Sequence, residues 1–302
     1  MRNMIKSLLD SENEKRGQNT VLHALIGIVL LFVGNAIASL LIDFFYTITK
    51  FEPSISIVIV RPLLEIAAVS LLVWLYMIKV LKMPLRGFRI NKPRNIIIWT
   101  MCAVTLPIAV SAFFILFTKG TFTVSNFDSA QKTRIILRAV FSACLAAGIT
   151  EELIFRGLIM HLLEDRWNKT IAVVAPSVCF GLLHILNMQA PKLLDIIVLA
   201  IAGTTVGVMF SLIAMESGSI WASALVHGLW NLVIIGDILE IGVDSLSSIY
   251  SYTLTSRSTL LTGGAFGIES SLPSIIGYIV VICIALILLK GQNRKSASNT
   301  PL

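Results

Sequence analysis

Residues 149–161 read ITEELIFRGLIMH, and Glu151, Glu152 and Arg156 stand there in an otherwise apolar run. Charged side chains in such a run are costly, and they are kept where they pair or do work. Glu152 and Arg156 are four residues apart, which puts them on one helix face. Glu151 is turned about 100° from Glu152. Arg156 therefore neutralises one glutamate and leaves the other in need of a wet cavity, a proton or a partner on another helix. Two further stretches offer partners: FGLLH, Phe180 to His184, and HGLWN, His227 to Asn231. A carboxylate beside a neutral imidazole can hold and deprotonate water. Such a water attacks a carbonyl, and the tetrahedral intermediate needs donors for its negative oxygen. His227 and Asn231, four apart, present two donors from one face, while Arg156 keeps Glu152 ionised. A serine mechanism lacks its signature, since no serine sits in a GxSxG elbow. HExxH is also absent. A metal alternative stays open, since Glu and His are zinc ligands, and were zinc bound, Glu151, His184 and His227 would hold it.

The elements that must position these residues are membrane helices. Of the 302 residues, 56% are hydrophobic and only 14% charged, far from the soluble pattern of about a quarter charged. Lipid admits only helices or closed barrels. Apolar runs of about 20 residues select helices, so the class is an all-α integral membrane protein. About eight runs qualify, at 21–46, 55–80, 95–118, 135–161, 170–188, 193–215, 219–241 and 273–290. Residues 1–20 form a polar cytoplasmic segment without the apolar core of a cleaved leader. Residues 21–290 form one membrane domain with a catalytic core at about 135–241, and 291–302 a short cytoplasmic tail. Cys102, Cys144, Cys179 and Cys283 lie in apolar runs and are expected as free buried thiols.

Basic residues set the orientation. Arg2, Lys6, Lys15 and Arg16 precede the first span. Lys79, Lys82, Arg86, Arg89, Lys92 and Arg94 follow the second, Arg166 and Lys169 the fourth, and Lys290, Arg294 and Lys295 the last. The other loops are poorer, with Lys50, then Lys119 and Lys132, then Lys192, then Arg257. Both termini are thus expected in the cytoplasm, and the net charge of +7 is a topology signal with some attraction to anionic lipid rather than a nucleic-acid footprint. The location is a multi-pass membrane protein, in the plasma membrane if the source is bacterial. The Ser-, Thr- and Gly-rich loop 242–272 reads as a connector. Gly203 and Gly207, in GTTVG, suggest close helix packing.

Other charges in or near the spans have simpler readings. Asp43, Glu216, Asp237 and Glu240 lie near span ends, within reach of water and headgroups. Arg61 and Glu65, four apart, read as an ion pair that fixes packing. His23 and His161 sit near span ends. At about 1.5 Å per residue, Glu151, His184 and His227 fall roughly 15, 20 and 12 Å from the cytosolic ends of their helices. That band permits one pocket reached from the cytosolic half.

EELIFR resembles the EExxxR signature of the CPBP intramembrane proteases, the CAAX-protease or Abi family; FGLLH is similar to its FxxxH motif and HGLWN to its HxxxN motif. The three occur in family order, each on a predicted span. The resemblance implies an eight-helix bundle around a membrane-embedded cavity. It implies that Glu151 and His184 activate water, that Glu152 and Arg156 support them, and that His227 and Asn231 line the oxyanion site, without a tightly bound metal. The implied activity is an intramembrane endopeptidase acting on a membrane-associated or lipidated peptide, with membrane lipids as the other partner and no nucleic acid. The alternative within the family is a non-catalytic scaffold, or a bacteriocin-immunity or cell-envelope regulator. A proton-coupled carrier would also bury such groups, but it would be expected to show repeats and matched broken helices.

Overall fold

A computed structural model of the protein describes residues 2–49, 57–83, 85–188, 190–242 and 247–298; Lys50 lies outside them. Helix α1 (Arg2–Thr49) is continuous, so the polar start runs straight into the first span. Helix α2 is Ile57–Leu75, continued by a wider π-helical turn, Tyr76–Leu81. Helix α3 is Ile96–Phe117. The next span is one rod, Ser129–Arg166, composed of α4 (Ser129–Arg138), a π-helical stretch Ala139–Ala147, α5 (Gly148–Glu152), a second π-helical stretch Leu153–Ile159, and α6 (Met160–Arg166). Helices α7 (Lys169–His184), α8 (Leu193–Ser217) and α9 (Ile220–Ile234) come next. After the short α10 (Thr259–Thr262), α11 (Leu272–Ser298) completes the bundle.

Among the described residues seven helices are long and apolar enough to cross a membrane, and the chain is a multi-pass integral membrane protein. The eighth expected span, 219–241, is shorter than predicted. Its helix, Ile220–Ile234, has 15 residues, about 22 Å at 1.5 Å per residue, against a hydrocarbon core of about 30 Å. It tolerates this length because protein surrounds it. Ile220, Ala222, Ser223, Val226, His227, Gly228 and Trp230 are all buried, and α9 packs against α3, α8 and the 139–152 part of the rod.

The mostly helical class holds, and three details differ from the sequence reading. First, a small sheet stands outside the helices, with β1 (Gly120–Val124), β2 (Leu239–Gly242) and β3 (Tyr250–Leu254) in the order β1-β3-β2. β1 pairs antiparallel and β2 parallel to β3. The strands are short and belong to loops, so no spanning run announces them. Second, the 242–272 segment is more than a connector: beyond β3 it folds into α10 and two 3₁₀ turns, Gly264–Phe266 and Ile268–Ser270, that pack on α8. Third, Cys283 is exposed on the outside of the bundle rather than buried; all four cysteines are free.

Small residues set the closest approach. An added Cβ on Gly181 of α7 would stand 2.7 Å from the Thr204 backbone of α8, and one on Gly207 would stand 2.8 Å from Ser177 Cα. The GTTVG reading therefore holds, with α7 as the partner. Arg61 and Glu65 pair at 3.7 Å, and Arg61 also donates to Asn35 Oδ1 and Ser39 Oγ of α1, joining the first two spans. Glu216 is fully buried at the C-terminal turn of α8 instead of wetted there. It accepts from Asn95 Nδ2 (2.6 Å), Trp99 Nε1 (2.8 Å) and Gln292 Nε2 (2.6 Å), and so ties α3, α8 and α11 together at the end of the bundle opposite the sheet.

Candidate active site

The Ser129–Arg166 rod carries the glutamate pair where its winding changes. Only five residues, Gly148–Glu152, are α-helical between two π-helical stretches. A π turn adds a residue to the helical ladder and recurs at functional sites. Each added residue shifts the phase of all later side chains by about 100°. A uniform 3.6-residue period therefore cannot phase the side chains on either side of α5. Two glycines bring the facing helix close. A Cβ on Gly148 would stand 3.1 Å from Gly228 Cα of α9, and one on Gly228 would stand 2.7 Å from the Cys144 carbonyl oxygen. That contact sets His227 and Asn231 beside the glutamates.

Glu152 and Arg156 are both completely buried, and Arg156 Nη1 donates to Glu152 Oε1 at 2.8 Å. The other end of the guanidinium donates to the Gly207 carbonyl of α8 at 3.0 Å. Its face lies 4.7 Å from the Phe180 ring centroid and 5.2 Å from that of Phe210, a favourable placement for a desolvated cation. His227 Nδ1 lies 3.0 Å from the same Glu152 oxygen. A carboxylate there can only accept, so Nδ1 carries the proton. His227 Nε2 then faces Glu151 Oε2 at 3.9 Å, and the Glu151 side chain is 23% exposed where that of Glu152 is 0%. The two adjacent glutamates thus divide as their spacing predicts: one paired and dry, the other turned to open space.

That space is a cavity of about 60 Å³ lined by Glu151, His184, His227 and Asn231 among others, room for more than one water. His184, the last residue of α7, presents Nδ1 to the Phe180 carbonyl at 2.8 Å. A carbonyl oxygen accepts, so Nδ1 is the donor and neutral His184 has a free Nε2 lone pair. Asn231 Nδ2 donates to the Ala143 carbonyl at 3.1 Å, which leaves its second N–H available. Phe210 stacks on the His227 ring at 4.5 Å between centroids, and Phe180 lies 4.5 Å from His184 and 6.0 Å from His227. These rings form the dry wall behind the polar groups.

All six predicted site residues come together, four on the cavity and Glu152 with Arg156 directly behind. Glu151, His184 and His227, the residues named for a zinc ion, share the cavity, and among the described residues no group of three or more His, Cys, Asp or Glu is grouped closely enough to hold a metal ion as they stand. The expected side of approach is also corrected. Phe266, Glu269 and Ser270 of the 242–272 segment line the cavity, and α7 ends at His184. The pocket therefore lies toward the sheet end of the bundle, away from the basic loop that contacts the α8–α9 turn through Arg89 and Arg94. Depth counted along each helix cannot reveal which end of the bundle a loop folds back over. Glu269 itself has no motif around it, and nothing in the local sequence points to it.

Residues 133–233 match the family described as Rce1-like, the type II CAAX prenyl endopeptidase Rce1-like proteins. The chain carries an Rce1-like domain. The matched segment takes in the glutamate pair, Arg156, both histidines and Asn231, and the family is one of endopeptidases. A search of curated proteins finds no match to the chain.

Proposed function

We propose that this Rce1-like protein is an intramembrane endopeptidase that hydrolyses a peptide bond of a membrane-anchored or lipidated peptide. The observation that supports this most is the division of labour between adjacent glutamates: Glu152 is locked in a dry pair while Glu151 lines a cavity with room for water, beside two histidines and an amide. In this reading Glu151 takes a proton from water held with the Nε2 lone pair of His184, and the hydroxide formed adds to the scissile carbonyl. Asn231, through its free N–H, and His227, when protonated on both nitrogens, stabilise the oxyanion. Glu152 fixes the His227 ring through Nδ1, and Arg156 fixes Glu152. Rate acceleration comes from donors already set in a low-dielectric wall. The family's prenyl-peptide substrates make a farnesylated CaaX peptide the first probe. If basic loops mark the cytoplasm, the cavity lies in the opposite half of the membrane, and a lipid-anchored peptide would enter sideways.

The test is cleavage by purified protein in proteoliposomes of a quenched farnesylated CaaX peptide and of its unprenylated counterpart. In parallel, peptides would be compared from membranes bearing wild type or Glu151→Ala. Loss of cleavage in Glu151→Ala and His184→Ala, with normal insertion, supports the mechanism. Full activity in both variants would overturn it, and a biological role indifferent to Glu151 would point to a scaffold.

A further inference from the structure

The cavity holds a carboxyl group that the mechanism above does not use. Glu269 lies on the 3₁₀ turn Ile268–Ser270, just before α11, and shares the cavity wall with Glu151, His184, His227 and Asn231. Its position is fastened from several sides. Tyr278 Oη donates to the Glu269 carbonyl at 2.8 Å, Ser274 Oγ to the Ile268 carbonyl at 2.6 Å, and Ser270 Oγ to the Gly263 carbonyl at 2.7 Å. Ser270, Ser271 and Ser274 are fully buried. Three glycines in left-handed backbone, Gly263 (φ 77°), Gly264 (φ 63°) and Gly267 (φ 94°), bend the chain back over the bundle, a geometry glycine adopts without strain. The turn sits against Asp195 of α8, since a Cβ on Gly264 would collide with Asp195 Oδ1. A slack connector would not need so many buried anchors. They hold in place a residue that lines the same cavity as Glu151.

Resting on the endopeptidase reading, we propose that Glu269 is a second catalytic carboxyl group, the general acid that protonates the leaving amine. The steps balance. Water's oxygen bonds to the scissile carbonyl carbon and its proton passes to Glu151. The C–N bond of the tetrahedral intermediate then breaks as the Glu269 proton moves to nitrogen, giving a carboxylic acid and an amine. Glu151 is left protonated and Glu269 ionised, and transfer of one proton between them through the cavity restores the starting state.

The surroundings suit the role. Burial, and then the charge of Glu151, push the Glu269 carboxyl up to about 8, against a hydrogen bond from the Trp230 indole that favours its charged form. The groups around it are Glu151 on α5, His184 on α7, His227 with Trp230 and Asn231 on α9, Tyr278 on α11, and Asp195 beneath the turn, whose Oδ2 is taken by the Lys192 N–H. Two carboxyl groups sharing a site cannot both ionise cheaply, so one serves as base and its neighbour as acid.

The deciding experiment has two arms. In the kinetic arm, the pH–rate profile for the quenched farnesylated CaaX peptide is measured for wild type, Glu269→Gln and Glu269→Asp. Wild type should lose activity as pH rises through about 8. Glu269→Gln should be slower by about 10²-fold or more, as for loss of a general acid, and should lose that alkaline limb; Glu269→Asp should recover a limb. Glu269→Gln with wild-type rate, or slowed with the limb unmoved, overturns the proposal and leaves the endopeptidase reading intact. A purely structural role would lower the rate without shifting the limb. The second arm needs no substrate. Infrared difference spectra should show a protonated-carboxyl band at neutral pH that vanishes in Glu269→Gln and titrates at lower pH in Glu151→Gln. A missing band, or one indifferent to Glu151, overturns the proposal whatever the peptide does. No cleavage by wild type, or wild-type cleavage by Glu151→Gln, instead overturns the endopeptidase reading, and the assignment of Glu269 with it.

Discussion

Arg156→Met leaves the Glu152 carboxylate completely buried without its cation, with the His227 Nδ1–H and the Ser223 hydroxyl as its remaining partners, and it also removes the cation from the faces of Phe180 and Phe210. Breaking a buried ion pair by deleting one partner typically costs about 3–5 kcal/mol. A polar contact between membrane helices usually counts for less, about 0.6 kcal/mol on average, because the unfolded helices still find partners in lipid. The larger figure should win here, because Glu152 and Arg156 lie one turn apart on the same helix. Separating that helix from its neighbours does not separate them, so the cost falls on an uncompensated charge rather than a lost interhelical contact. We therefore expect Arg156→Met and Glu152→Gln each to destabilise the protein by about 3 kcal/mol. The double variant should cost less than either, because no charge is stranded. The assay is reversible unfolding in mixed micelles as a double-mutant cycle. A coupling of about 3 kcal/mol or more is expected. Coupling near zero, with the double variant as unstable as the sum of the singles, would refute the reasoning. Peptide cleavage should not return in the double variant, because Glu152 is also needed to hold His227 Nδ1.

Other consequences rest on particular contacts. Gly181→Ala forces a Cβ to within 2.7 Å of the α8 backbone; it should destabilise by about 1–3 kcal/mol and reduce activity, since α7 carries His184, whereas Gly291→Ala, with nothing within 4 Å, should be neutral in the same thermal and cleavage assays. Glu216→Ala removes the side-chain acceptor of Asn95, Trp99 and Gln292; Trp99 is the fully buried one, so at about 1–3 kcal/mol for a stranded buried group the variant should lose thermal stability by about that much while the surviving folded enzyme keeps its kcat. Glu269 has its carboxyl raised from the ordinary 4.5 to about 8, so the folded state holds a proton the unfolded chain releases. Its contribution is fully present below about 4.5 and is lost as pH rises toward 8, so melting curves of Glu269→Gln should fall less steeply with pH over that window than those of wild type.

Much of the site can be read from spacing alone because its key pairs are local. Glu152 with Arg156 in the site, and Arg61 with Glu65 outside it, are one helical turn apart, and for the glutamate pair that geometry survives even where the winding loosens. Gly203 and Gly207 announce a close approach, though not that Gly181 and Ser177 receive it. Spacing misplaces Glu216 in water, because position near a span end says nothing about which neighbours fold over it. The sheet and the 263–271 turn escape for a related reason: polar, glycine-rich loops carry little periodicity, and their contacts are made with residues far along the chain.

The sequence by itself determined that this is a polytopic helical membrane protein and that Glu152 pairs with Arg156 and His227 shares a face with Asn231, since hydropathy and one-turn spacing are written locally; that the three segments meet was carried by the resemblance of their motifs. Only the tertiary structure decided that α9 could be short, which end of the bundle holds the cavity, and that Glu269 closes it. Those outcomes depend on which helices wall one another off from lipid and where a loop comes back to rest, and both are set by packing between segments distant in the chain.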